Sequence, residues 1–167
     1  MQAATIITLL VSQFIITIFA ILISYLKIRQ EIRKFKEEKI YDVKLDRIKR
    51  QLSEFYGPLY MLTTSTSKIA KTAWGTDIFK DVRKNILIPS NKEVAKILLT
   101  KIDLLEEEEI PESYFQFLNH VNVSSSYIEL EISYFEKDSF YPMQFNRGVA
   151  SSYRKKRKEY IELLKSI

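Results

Sequence analysis

From Ala3 to Leu26 the chain runs for 24 residues without a charged side chain, a glycine or a proline. The hydrocarbon core of a bilayer takes about 20 apolar residues of helix, and this stretch, dominated by Ile, Leu and Phe, exceeds that length. A cleaved signal peptide is the competing reading. It would need a basic residue ahead of the run, a shorter apolar stretch and a small-x-small site after it. None of the three is present, so the sequence predicts a retained transmembrane helix over residues 3–26. No Lys or Arg precedes the run, whereas Lys27, Arg29, Arg33, Lys34 and Lys36 follow at once. The positive-inside bias then places the N-terminus outside and residues 27–167 in the cytoplasm of a bacterial inner (plasma) membrane. The five cations are the predicted contacts to anionic lipid headgroups.

Polar and small residues within the run fall on one side. At 100° per residue, Gln13, Thr17, Ala20 and Ser24 lie within about 60° of one another. An amide near the bilayer centre without a partner costs several kcal/mol. A second copy of the same helix supplies that partner at about 0.6–2 kcal/mol per contact. The stripe therefore predicts a homo-oligomer. In the alternative, Thr and Ser bond their own i−4 carbonyls and Gln13 finds water or another protein.

Beyond the span the chain is expected to be all-α, in three parts: the transmembrane helix 3–26, a basic juxtamembrane stalk helix 27–55 and a small cytoplasmic helical bundle 56–167. Ile28, Ile32 and Phe35 keep helical spacing, and the pattern slips through Ile40 and Val43. From Leu45 it is regular: Ile48, Leu52, Phe55, Leu59 and Leu62 continue at alternating three and four, on to Thr66, Ile69 and Ala73. That is a heptad, coiled-coil-like seam. It crosses Gly57-Pro58, which predicts a kink or a fresh helix with Pro in its first turn. Trp74-Gly75 ends this helix.

Ile78, Phe79, Val82, Ile86, Leu87 and Ile88 form a second apolar set, closed by Pro89. Ser90 with Glu93 matches a capping box and predicts a helix with the stripe Val94, Ile97, Leu98, Ile102 and Leu105, ended by the acidic run Glu106–Glu109 as a solvated turn. Pro111-Glu112 opens the next helix. Residues 127–135 within it also alternate in strand fashion, but a lone strand is unstable, so helix is expected there too. After Tyr141-Pro142 a final helix is predicted from Met143 to about Lys165.

Taken in order, Phe55-Tyr56-Gly57-Pro58-Leu59-Tyr60, Ile110-Pro111-Glu112, Leu118-Asn119-His120-Val121 and Phe140-Tyr141-Pro142 resemble landmarks of a widespread group of uncharacterised bacterial single-span membrane proteins. In that group a membrane helix and charged stalk lead into a Tyr-Gly-Pro-Leu element, a Pro-headed helix with a His-Val pair and an aromatic-Pro loop. The likeness implies the architecture and no activity. It also departs from the group, which has a Trp where this chain has Tyr134-Phe135.

Composition narrows the chemistry. With no Cys there is no disulfide, thiolate metal site or Cys nucleophile, and one His excludes any scheme that needs two. Three glycines are too few for a phosphate-cradling loop. His120 shares a helical face with Ser124 and Tyr127, a polar packing site beside the main seam. A catalytic His120 would need a partner that the sequence does not supply. Glu129 and Glu131 cannot share one helical face, whereas Asp77 with Asp81 can at i,i+4, and two carboxylates alone make a poor metal site. No catalytic residues, metal or cofactor are expected, and an enzyme using His120 is the weakest reading.

The second basic patch, Arg154, Lys155, Lys156, Arg157 and Lys158, spreads round a helix and belongs to no nucleic-acid-reading motif. Residues 27–50 carry ten basic and five acidic side chains, 51–146 nine and fourteen, and 147–167 seven and two. Charge therefore describes an acidic bundle between basic segments, matched to anionic lipid or to the bundle itself. The functional expectation is a membrane-anchored sensor or scaffold that self-assembles and binds a further protein partner. A membrane-perturbing effector of stress or antiphage defence is the alternative.

Overall fold

The computed structural model describes residues 2–129 and 141–165, with the side chains of 13–126 and 141–165. Among the described residues there is no strand, and the fold is all-α. The chain divides into two compact units, residues 1–44 and 45–167, the second beginning where the regular seam begins.

In the first unit, α1 (Gln2–Arg50) continues through Ile40 and Val43 without a break. Both of those side chains are exposed, so the slip in the apolar pattern there disturbs no packing. Every large apolar side chain from Phe14 to Leu26 is likewise exposed. Among the described residues no helix is long and apolar enough to cross a membrane. Residues 3–12, the first part of the apolar run, contribute only their backbone to the described structure.

The second unit is shaped by two prolines. Proline has no N–H to donate, and in a regular helix its ring collides with the carbonyl four residues back. The chain widens ahead of each one instead of stopping. Gln51–Tyr56 forms a π-helical turn in which the Gly57 N–H reaches back five residues to the Leu52 carbonyl, and α2 (Gly57–Ala73) follows with Pro58 in its first turn. The same device recurs after the short α3 (Phe79–Val82). Arg83–Leu87 is a π turn whose closing bond runs from the Ile88 N–H to the Arg83 carbonyl, and α4 (Ile88–Thr100) carries Pro89 near its start.

Two expectations are corrected by this. Pro89 does not close the apolar set, and the Ser90–Glu93 capping box does not form: Ser90 lies inside α4, whose first residue follows Leu87 in helical conformation without a side-chain cap. The backbone donors that a cap would satisfy are taken up by the π turn. Nor does α4 reach the acidic run. It ends at Thr100, and a 3-10 turn, Ile102–Leu104, tucks Leu104 and Leu105 into the core.

Pro111 precedes α5 (Glu112–Glu129), and α6 (Met143–Lys165) completes the described chain. Residues 127–129 are helical, while 130–135, the rest of the ambiguous stretch, lie outside the described residues. α2 packs on α4 and α6, and α5 on α4 and α6, so the four helices close a ring. Inside it sit Phe55, Leu59, Leu98, Phe117, Phe145 and Val149. Phe117 and Phe145 stack with centroids 4.2 Å apart. The α5 face carrying Phe117, His120 and Ser124, expected as a secondary surface, therefore points inward together with Tyr114 and Val121, because α6 brings its aromatic ring to that side.

The wide turn at 51–56 lets two consecutive aromatics, Phe55 and Tyr56, face inward together, packed edge to face at 4.9 Å. It also fixes Gly57. A Cβ there would run into the Leu52 carbonyl oxygen that its own N–H bonds. Gly57→Ala should therefore destabilise the bundle by about 2–3 kcal/mol, although helix propensity alone favours Ala by about 1 kcal/mol. Urea unfolding followed by circular dichroism decides between the two signs.

Candidate functional site

A pocket of about 810 Å³ opens in the second unit between α2, the segment from α3 to α4, α5 and the start of α6. α2 presents Thr66 and Ala70 with Lys71 and Trp74 nearer its end. Phe79, Arg83, Leu87 and Asn91 follow at four-residue spacing. On an ideal α-helix such positions drift by about 40° at each step. The π turn at 83–87 holds the drift back, so all four, with Ile88, reach one cavity. The second apolar set of the sequence thus lines a pocket, and no residue of α3 or of that π turn is buried.

The inner wall is polar. His120 and Ser124 of α5 meet Tyr141 and Asn146 across the cavity. The His120 ring stands edge to face with Tyr141 at 5.3 Å and tilted to Phe117 at 6.5 Å. The predicted pair His120 and Ser124 is therefore brought together here, and the Tyr127 side chain lies outside the described residues. Most of the wall's hydroxyls are already occupied: Thr66 Oγ1 donates to the Leu62 carbonyl at 2.7 Å, Ser124 Oγ to the Val121 carbonyl at 3.2 Å, and Tyr141 Oη to Asn146 Oδ1. Burial pushes the Tyr141 phenol well above its ordinary value, so it remains a neutral donor. Burial also lowers the Arg83 guanidinium from its usual value.

Asn91 differs from its neighbours. It is only 7% exposed, and it carries an amide into the lining. Among the described lining residues there is no carboxylate, and among the described residues no cluster of three or more His, Asp or Glu could hold a metal ion.

Sequence reasoning missed Lys71, Trp74, Arg83, Asn91, Tyr141 and Asn146. The four-residue periodicity from Phe79 to Asn91 was the available signal, and it becomes readable only once Pro89 is taken to widen the helix rather than end it.

The other predicted sites lie elsewhere. Gln13, Thr17, Ala20 and Ser24 are all exposed on α1, and Thr17 Oγ1 donates to the Gln13 carbonyl at 2.8 Å, which already satisfies that hydroxyl. Lys27, Arg29, Arg33, Lys34 and Lys36 are exposed too, with Arg33 paired to Glu37 at 2.9 Å.

The second basic patch is divided by its helix. Arg154, Arg157 and Lys158 face solvent, whereas Lys156 is buried and donates at 2.8 Å both to Glu106 and to Glu159. Lys155 adds a longer pair to Glu106 at 3.4 Å. Glu107 accepts from Tyr56 Oη at 3.1 Å and from Ser152 Oγ at 3.3 Å. The acidic run is thus no solvated turn at its first two residues. It is the counter-charge that ties α6 to the bundle.

Compared with protein-family models, curated proteins and solved structures, the chain matches none.

Partial burial raises the Glu106 carboxyl, but the Lys156 and Lys155 ammonium groups outweigh it and hold Glu106 below its ordinary 4.5. Lys156 is likewise desolvated, and its two carboxylate partners more than restore it, so it stays above 10.5. A carboxyl with a depressed folded value contributes stability that is whole above the unfolded value and lost as pH falls through the folded one. Lys156→Met should cost about 1–2 kcal/mol near pH 7, less than a fully buried pair because both carboxylates keep access to water. The gap to the unsubstituted chain should shrink as the pH drops below 4.5, and urea midpoints across that range measure it.

Proposed function

We propose that the chain is a single-pass membrane protein, anchored by residues 3–26, whose cytoplasmic helical unit acts as a sensor through self-assembly and partner binding. The observation that carries this reading is the uncharged run of 24 residues, with every described large apolar side chain in it exposed on all sides of a 49-residue helix. Ten such side chains in water would be a severe aggregation liability. As helix, the run measures about 36 Å, enough for a hydrocarbon core of about 30 Å with some tilt. The cations from Lys27 to Lys36 then meet the anionic inner leaflet, each contributing about 1 kcal/mol near the surface. The resemblance to single-span bacterial proteins favours the same topology.

Between sensor and scaffold, the pocket favours sensor. A cavity with apolar sides and a few convergent polar groups is the common form of a small-molecule site, and a pure scaffold has no use for one. Self-association rests on Gln13. Its carbonyl is engaged by Thr17, while its amide projects from the exposed face of the stripe.

Alkaline carbonate extraction of native membranes should leave the chain in the pellet, and release into the supernatant would overturn the anchor. Crosslinking in the same membranes should trap oligomers, and Gln13→Leu should reduce them several-fold, the loss of about 1 kcal/mol per helix contact. Identical crosslinking of both proteins would remove Gln13 from the interface.

A further inference from the structure

The pocket's chemistry narrows its ligand. Asn91, 7% exposed, holds a donor NH2 and an acceptor oxygen side by side in the lining. A ligand that covers this amide without pairing it forfeits the amide's bonds to water, so the fitting ligand presents an acceptor and a donor on adjacent atoms. An alkyl chain presents neither. The edge of a nucleobase presents both, and the side-chain amide of Asn is a standard bidentate reader of such an edge.

Two aromatic pairs line the cavity. Trp74 and Phe79 meet edge to face at 5.1 Å, and His120 and Tyr141 at 5.3 Å. Flat heteroaromatic rings stack on such surfaces. Lys71, exposed at the rim, adds a cation to the lining, an arrangement suited to phosphate oxygens.

We propose that this pocket binds a mononucleotide-class ligand, with Asn91 reading the edge of the base, the aromatic pairs holding its faces, and Lys71 taking the phosphate. This deepens the sensor reading and rests on it for its purpose. The anchor and the oligomer can nevertheless fail by crosslinking while the ligand binds, and the reverse, so the two results are separable.

Trp74 is the only tryptophan of the chain, lines the pocket and is 74% exposed. A ligand seated beside it should cover the indole and shift its emission to the blue. The test titrates the full-length protein in lipid nanodiscs separately with AMP, GMP, CMP and UMP, exciting Trp74 on the red edge where nucleotides do not absorb. Adenosine, guanosine, inorganic phosphate and dodecyl phosphate serve as the other arms.

At least one nucleotide should give a saturable shift in the micromolar range, with its nucleoside binding at least tenfold more weakly. Asn91→Leu, close in shape and checked for intact helix content by circular dichroism, should weaken that nucleotide tenfold or more. Lys71→Glu, an exposed change that the fold tolerates, should weaken the nucleotide while leaving the nucleoside unchanged. The proposal is overturned if no nucleotide shifts Trp74, if inorganic phosphate alone reproduces the shift, or if dodecyl phosphate binds as tightly as the best nucleotide. Unchanged affinity in a folded Asn91→Leu protein overturns it as well.

Discussion

Two missing backbone donors organise the helical unit. Pro58 and Pro89 can give no N–H to the turn before them, and in both places the chain responds with a π turn closed by the preceding residue, Gly57 to Leu52 and Ile88 to Arg83. A wider turn changes which side chains share a face. The first brings Phe55 and Tyr56 into the core together, and the Tyr56 hydroxyl then accepts the Glu106 N–H at 3.3 Å while donating to Glu107. The second gathers Phe79, Arg83, Leu87 and Asn91 around one cavity. Core and pocket thus stem from the same constraint, applied twice along the chain.

This also explains what could be read beforehand. The all-α class follows from long three-four periodicities, and those are local. Ile48, Phe55, Leu59, Thr66 and Ala73, half of a seam written out residue by residue, are buried as a heptad requires. Gln51, buried one place away from Leu52 with its amide donating to the Leu104 carbonyl at 2.9 Å, breaks the pattern because it sits at the head of the π turn. A proline in a periodic stretch signals that something must give, but not whether the helix stops, kinks or widens. Tertiary packing decides that, and the capping-box signature at Ser90 lost to it. The pocket was illegible for a related reason: its lining comes from segments as far apart as Thr66 and Asn146, and no local pattern joins them.

Charge shows the same division between local and distant information. The alternation of basic, acidic and basic segments is visible in the composition, yet its meaning differs at the two ends. Lys27 to Lys36 are exposed, so their charge remains available to a surface. In the run from Arg154 to Lys158 the helix turns Lys156 inward, where its side chain is 5% exposed and bridges Glu106 and Glu159. Replacing all three charged groups by apolar ones would change net stability little, whereas removing the ammonium alone strands two carboxylates, so the cluster ties α6 to the acidic run. Seen this way, the acidic run and the second basic patch are a device for placing α6, and with it Tyr141 and Asn146 at the pocket wall.

Stability is distributed unevenly around that pocket. The walls from α2, α5 and α6 belong to elements that contribute Leu59, Phe117 and Phe145 to the core, whereas Phe79–Leu87 buries no residue at all. Segments with few buried contacts are the ones that open at low free-energy cost. A ligand moves a conformational equilibrium only by the difference in its affinity for the two states. A molecule touching Phe79 and Arg83 together with Asn91 gains contacts only when that segment is in place, so its binding energy is spent on the least stable part of the ring. The rest of the bundle, already held by its aromatic core, supplies a rigid frame against which that ordering registers. The pocket is thus built half on a fixed core and half on a segment that buries no residue, and that second half is the one that Pro89 created.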